Sequence, residues 1–91
     1  MQQINVYGAD NCSETGHTRE HLQTIGVPHR YYNIEEDSMA EARVMALNGG
    51  MRRTPTVMIF DGDVEEYLSA PTDAELDAAI KRHRSHRKVT D

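Results

Sequence analysis

Cys12 is the one cysteine in a chain of 91 residues. It stands where the apolar run Ile4-Asn5-Val6-Tyr7 gives way, through Gly8-Ala9-Asp10-Asn11, to a predicted helix. The open amides and positive dipole end of a helix N-terminus favour a thiolate, and can bring a thiol pKa from about 8.5 toward ~3.5 to 7.5. A lone cysteine in a small protein is ordinarily a core filler. Its place between a strand and a helix marks this one instead as a candidate nucleophile. With no second cysteine the chain closes no internal disulfide, so a redox cycle through Cys12 requires an external thiol or a second chain.

A second group with chemical potential is His17-Thr18-Arg19-Glu20-His21, which formally matches the H-x-x-E-H pattern of zinc proteases and sets two histidines four apart on one helix face. That chemistry needs a third ligand and a wide substrate cleft, which so short a chain scarcely provides. Both histidines are therefore expected on the exposed side of the helix, opposite Leu22, and no metal site is expected. His83 and His86, in the C-terminal segment, are no more specific.

The elements that must position Cys12 follow from periodicity and turn residues. A strand is predicted over Ile4–Tyr7, then a helix from Ser13 or Glu14 to Ile25 with Thr18, Leu22 and Ile25 facing inward and Gly26 as its stop. Val27-Pro28 leads to a second strand over about 29–34, where Tyr31-Tyr32 has high β-propensity. Asp37 or Ser38 can cap a second helix, with Glu41 in a capping-box relation to Ser38, an apolar face of Val44 and Leu47, and Asn48-Gly49-Gly50 at its end. Thr56–Phe60 is the most continuous apolar run, the pattern of a strand covered on both faces at the centre of a sheet. Asp61-Gly62-Asp63 is a tight-turn signal that makes Val64–Leu68 its hairpin partner. Thr72-Asp73-Ala74-Glu75 is a capping box opening a last helix with Leu76, Ala79 and Ile80 toward the core. The order β-α-β-α-β-β-α predicts a parallel first pair of strands, joined by a right-handed crossover, and an antiparallel hairpin.

Ninety-one residues make one domain, which buries roughly 60 to 65% of its unfolded surface. The net charge of −5 hides an asymmetry: residues 1–80 carry five Arg and no Lys against fourteen acids, whereas residues 81–91 carry five Lys or Arg against Asp91. An acidic body argues against nucleic-acid binding by the folded domain, since phosphate neutralisation needs clustered cations. The run from Lys81 to Lys88 reads as a solvated helix end or frayed terminus, and the expected division is a domain over 1–82 with a basic tail over 83–91. No apolar stretch approaches the ~20 residues of a membrane span, no leader is evident, and an unpaired thiol suits a reducing compartment. The expectation is cytoplasmic.

This order, with Cys12 after the first strand and Thr54-Pro55-Thr56-Val57 opening the third, resembles the glutaredoxin branch of the thioredoxin fold over nearly the whole chain to about residue 82. The pieces that carry the resemblance are Tyr7-Gly8-Ala9-Asp10-Asn11-Cys12, Leu22, Gly26-Val27-Pro28 and Asn33-Ile34, followed by Asn48 through Val57 and the stretch from Asp61-Gly62 to Pro71-Thr72. The last two look particularly like mycoredoxin-type glutaredoxins. The resemblance implies an α/β, thioredoxin-like architecture: a four-stranded mixed sheet flanked by three helices. It implies a cis bond before Pro55, opposite Cys12, with the Thr54 backbone holding the cysteine of glutathione as an added extended strand. By the same resemblance, Arg52 or Arg53 binds the tripeptide's glycine carboxylate and the amides of Thr72 and Asp73 take its γ-glutamyl carboxylate.

The resemblance has departures. Cys12-Ser13-Glu14-Thr15 puts Thr15 where a resolving cysteine commonly stands; a hydroxyl can hydrogen-bond a thiolate but cannot displace a disulfide, so only a monothiol cycle remains. Asp10 and Glu14 place carboxylates near the thiol, where many glutaredoxins carry a cation and an aromatic, and both oppose a thiolate. The implied activity is reduction of mixed disulfides by Cys12, with glutathione or a related low-molecular-weight thiol as co-substrate, thiol-modified proteins as partners, and a monomeric enzyme. The alternatives are a non-catalytic module that binds a partner through the Thr54-Pro55 groove or the tail, and a monothiol protein bridging an iron–sulfur cluster between two chains. Arsenate reductase chemistry also uses one cysteine after a first strand, but needs more arginines at the cysteine loop than Arg19.

Overall fold

The computed structural model describes residues 2–89, with side chains as far as His83. Seven elements follow in the expected order: β1 (Gln2–Gly8), α1 (Ser13–Thr24), β2 (Arg30–Asn33), α2 (Ser38–Leu47), β3 (Thr56–Asp61), β4 (Val64–Ser69) and α3 (Asp73–Val89). They form one four-stranded sheet in the order β2-β1-β3-β4. β1 and β2 run parallel, with Val6 opposite Tyr31, while β3 lies antiparallel to both β1 and β4. The sheet is thus mixed, and β1 and β3 are its inner strands.

Alternation along these inner strands builds a core on each face. Ile4 and Val6 of β1 and Val57 and Ile59 of β3 meet Leu22 of α1 and Leu76, Ala79 and Ile80 of α3. Tyr7 and Met58 turn to the other face, where Ala40 and Val44 of α2 and Ile34 cover them, and Leu47 packs against that cluster. The unbroken apolar run of β3 is explained by this two-sided cover. Tyr7 and Tyr32 stack with ring centroids 5.1 Å apart beneath α2.

The hairpin between β3 and β4 has a two-residue loop, and Gly62 at its first position takes the positive φ (64°) such a loop needs. α1 ends one residue earlier than the spacing predicts. Ile25 is its C-cap and is 43% exposed, not on the inward face, because the chain leaves the helix toward Gly26 (φ 72°) before the next inward position is reached. At α2 the capping box of Ser38 and Glu41 does not form. Asp37 is the cap, its carboxylate accepting from the amides of Met39 and Ala40 at 3.1 Å each, and Glu41 turns instead to Arg52. The capping box of α3 does form: Thr72 Oγ1 accepts from the Glu75 amide at 3.1 Å, and the Thr72 amide donates to Glu75 Oε1 at 2.8 Å. Thr72→Ala should therefore cost about 1 kcal/mol, read as a lower urea midpoint with an unchanged m-value.

α3 continues without a break across residue 82, and His83 is buried, with Nε2 3.0 Å from Glu66 Oε1 of β4. Arg82 pairs with the same carboxylate. The side chains of the basic segment from residue 84 onward lie outside the described residues. Among the described residues, no helix is long and apolar enough to cross a membrane.

Candidate active site

Gly8 ends β1, and the next four residues turn the chain into α1. The Cys12 amide closes that turn on the carbonyl of Ala9 at 3.1 Å, which leaves Asp10 and Asn11 as its two central residues. Cys12 is the N-cap of α1, extended at φ −96° and ψ 115°, and no side chain caps the helix there. The sulfur thus stands where a capping oxygen would ordinarily serve the first-turn amides.

Two threonines flank the thiol. Thr54 Oγ1 donates to Sγ at 3.4 Å, and Sγ lies 3.8 Å from the Thr54 carbonyl. Thr15, 1% exposed, accepts from the Ala9 amide at 3.4 Å, which leaves its own hydroxyl proton to turn to the sulfur. The Thr15 hydroxyl and then the Thr54 hydroxyl hold the Cys12 thiol below its usual pKa. Backbone hydrogen bonds at Thr15 and Glu14 add to this, against an upward push from burial. Gly8 is required beneath this arrangement: a Cβ there would lie 2.4 Å from both Cγ2 and Oγ1 of Thr15.

The Thr54–Pro55 bond is cis, and Pro55 is buried. A chain of hydrogen bonds that the sequence did not announce fixes this loop. Thr56 Oγ1 donates to the Arg53 carbonyl at 2.7 Å and accepts from Asn48 Nδ2 at 3.1 Å. Asn48, the C-cap of α2, also takes a hydrogen bond from the Ser69 hydroxyl, and the Ala70 amide donates to the Pro55 carbonyl at 2.7 Å. Asn48 closes α2, and its side chain ties that stop to the loop facing Cys12.

Beside Pro55 a cleft of about 480 Å³ is lined by Glu14, His17 and Thr18 of α1 and by residues 70–74, including Thr72 and Asp73. The two histidines both meet carboxylates of α3, His17 with its side chain 66% exposed as expected and His21 largely covered. His17 Nε2 lies 3.0 Å from Asp73 Oδ2, and His21 Nε2 lies 2.7 Å from Asp77 Oδ1, with the His21 side chain only 16% exposed. The reason is that α1 and α3 cover the same sheet face side by side, so the flank of α1 that carries both histidines runs along α3, with His17 at its solvent edge. Among the described residues, no three His, Cys, Asp or Glu side chains are placed to hold a metal.

The expected ligand rim divides. Arg52 reaches away to α2, its Nε 2.8 Å from Glu41 Oε2 and its guanidinium also paired with Glu35. Arg53 is exposed and makes no ion pair among the described residues, so it is the uncommitted cation next to Thr54. The Thr72 amide is used by Glu75, and Glu75's own amide is used by Thr72. The Asp73 and Ala74 amides remain as the open donors of that first turn.

No protein-family model matches the chain, and no curated protein matches it. Solved structures do. A variant of the thioredoxin-like protein BC3987 superposes with a TM-score of 0.74 at 23% identity, covering 89% of this chain and 97% of the other. A thioredoxin from Fasciola hepatica gives 0.70 at 16% identity, with 90% and 80% covered. A glutaredoxin from Archaeoglobus fulgidus gives 0.69 at 20% identity, with 88% and 87% covered. The chain has the thioredoxin-like fold that these proteins share.

Proposed function

We propose that this thioredoxin-like protein is a monothiol thiol–disulfide oxidoreductase that reduces mixed disulfides of glutathione, or of a related low-molecular-weight thiol, through Cys12. The observation that carries the reading is the setting of the sulfur: a partly exposed thiol at a helix N-cap, 3.4 Å from the Thr54 hydroxyl and facing the buried Pro55. Such a thiol carries more thiolate at neutral pH than an ordinary cysteine and is open to a disulfide.

In the first step the Cys12 thiolate attacks the glutathione sulfur of a modified protein. A Cys12–glutathione disulfide forms, and the protein's sulfur leaves as thiolate and takes a proton from solvent. A second glutathione thiolate then attacks that glutathione sulfur, releasing the Cys12 thiolate and glutathione disulfide, so the incoming glutathione supplies the reducing equivalent that the protein's sulfur gains, while the first glutathione's sulfur stays at the disulfide level throughout. Thr15 has no role in displacement; its hydroxyl supports the thiolate in both steps. The backbone of Thr54 docks the cysteine of the tripeptide, Arg53 meets one carboxylate, and the Asp73 amide with the Thr72 turn meets the other. Thiol-modified proteins are the proposed partners, and the proposed enzyme is a cytoplasmic monomer.

Turnover of a glutathione mixed disulfide, coupled to glutathione reductase and NADPH, tests the reading. Arg53→Ala should raise the apparent KM for that substrate about three- to tenfold, the loss of one exposed charged contact. Arg52→Ala should change KM less than about twofold, because its partners are Glu35 and Glu41 and its surface ion pairs are worth little. Equal effects of the two substitutions would refute this division of the rim, and no turnover by the wild-type protein would refute the function.

A further inference from the structure

Asp10 is the residue a simple electrostatic reading finds hardest to accommodate, since a carboxylate two positions before a reactive thiol disfavours the thiolate. In the structure that carboxylate is held. Asp10 Oδ1 accepts a hydrogen bond of 2.8 Å from the Tyr31 hydroxyl of β2. The Arg19 guanidinium of α1 lies 3.8 Å from the centre of the Tyr31 ring. Two elements, β2 and α1, thus converge on the turn that closes at the Cys12 amide.

We propose that Tyr31 is a positioning residue for Cys12, acting through Asp10: its phenol holds the Asp10 carboxylate against β2 and fixes one of the two central residues of the turn that presents the sulfur. The proposal deepens the reading of Cys12 as nucleophile and rests on it. The ring is seated for this task, because Tyr31 pairs with Val6 in the parallel register and packs against the main core. Burial first, and then the hydrogen bond to Asp10, push the phenol up to about 12, so it remains a donor throughout the range in which a thiol titrates. Arg19 works in the opposite sense on the phenol and contributes a cation–π contact that orients the ring.

The charged and titratable groups around the pair come from every neighbouring element. Arg19 and Glu14 stand on α1, Glu36 follows β2, and Arg53 precedes Thr54 in the loop that faces the sulfur. The Asp10 carboxylate is the charge whose position the Tyr31 hydroxyl controls directly. Removing the hydroxyl leaves the Asp10 carboxylate without that hydrogen bond on the thiol's own turn, and the thiolate becomes less favourable.

The test follows the rate of Cys12 alkylation by iodoacetamide against pH in the full chain, for the wild type, Tyr31→Phe, Asp10→Asn and the double variant. Tyr31→Phe should move the half-point of the profile upward by about half a pH unit and lower the rate at pH 7 about threefold. In the Asp10→Asn background the same substitution should move neither, because the charge it releases is gone. A loss of packing alone would lower the melting temperature of Tyr31→Phe without this background-dependent shift. The proposal is overturned if Tyr31→Phe leaves the profile unmoved, or if it shifts the profile equally with and without Asp10. Alkylation reads the thiol whether or not glutathione is a substrate. Absent turnover with the predicted shift would therefore count against the proposed function and not against Tyr31.

Discussion

Replacing Cys12 by Ser should remove mixed-disulfide turnover, with a loss on the order of 10²-fold or more, down to the rate without protein. The hydroxyl has nearly the shape of the thiol but stays protonated at neutral pH, and it forms no disulfide. Nothing else in the site can take over: Thr15 and Thr54 are also hydroxyls, and the chain has no second cysteine. The substitution should leave stability within about 0.5 kcal/mol, since Cys12 is not part of either core cluster and its weak contacts to Thr54 can be made by an oxygen. A folded protein with no turnover is the expected pair of results. Turnover retained in the serine variant would move the chemistry away from Cys12 altogether.

Gly8→Ala should be the most damaging small substitution in the site. The added methyl would stand 2.4 Å from two atoms of Thr15, and Thr15 is fully buried in the first turn of α1 and cannot swing into solvent. Overpacking of this kind costs about 1 to 3 kcal/mol, which urea unfolding will show. It should also raise the thiol pKa. The Thr15 hydroxyl leads the interactions that depress it, so displacing Thr15 shrinks the thiolate fraction at pH 7 and slows alkylation there, while the rate at high pH is kept. The double variant Gly8→Ala with Thr15→Ala separates the two effects. Removing Cγ2 and Oγ1 should restore most of the lost stability but not the low thiol pKa. If both recover together, Thr15 acts only through packing.

The sequence carried the fold because periodicity reports which face of an element is covered. The unbroken run Val57–Phe60, the capping box of Thr72 and Glu75, and Leu76, Ala79 and Ile80 at helical spacing each pointed to the arrangement observed. Cys12 could be placed at a helix start for the same reason. What periodicity does not report is the partner of a polar side chain far away in the chain. Glu35 and Glu41 beside Arg52, and the α3 carboxylates beside His17 and His21, 56 residues on, are partners of this kind. Asn48, Ser69 and Thr56 carry the loop of Pro55 through hydrogen bonds between elements that no local spacing predicts. Asp10 shows the same limit, because its sign could be read at once but its engagement by Tyr31 depends on the parallel register of β1 and β2.

In the proposed mechanism the Cys12 sulfur itself carries the transferred thiol, and the mass of the intact protein during a single turnover reports that adduct. Reduced protein exposed briefly to glutathione disulfide should gain one glutathione, located at Cys12 by peptide mapping, and should lose it again when reduced glutathione is added. Protein that gains no adduct, or holds one that reduced glutathione does not discharge, would contradict the account.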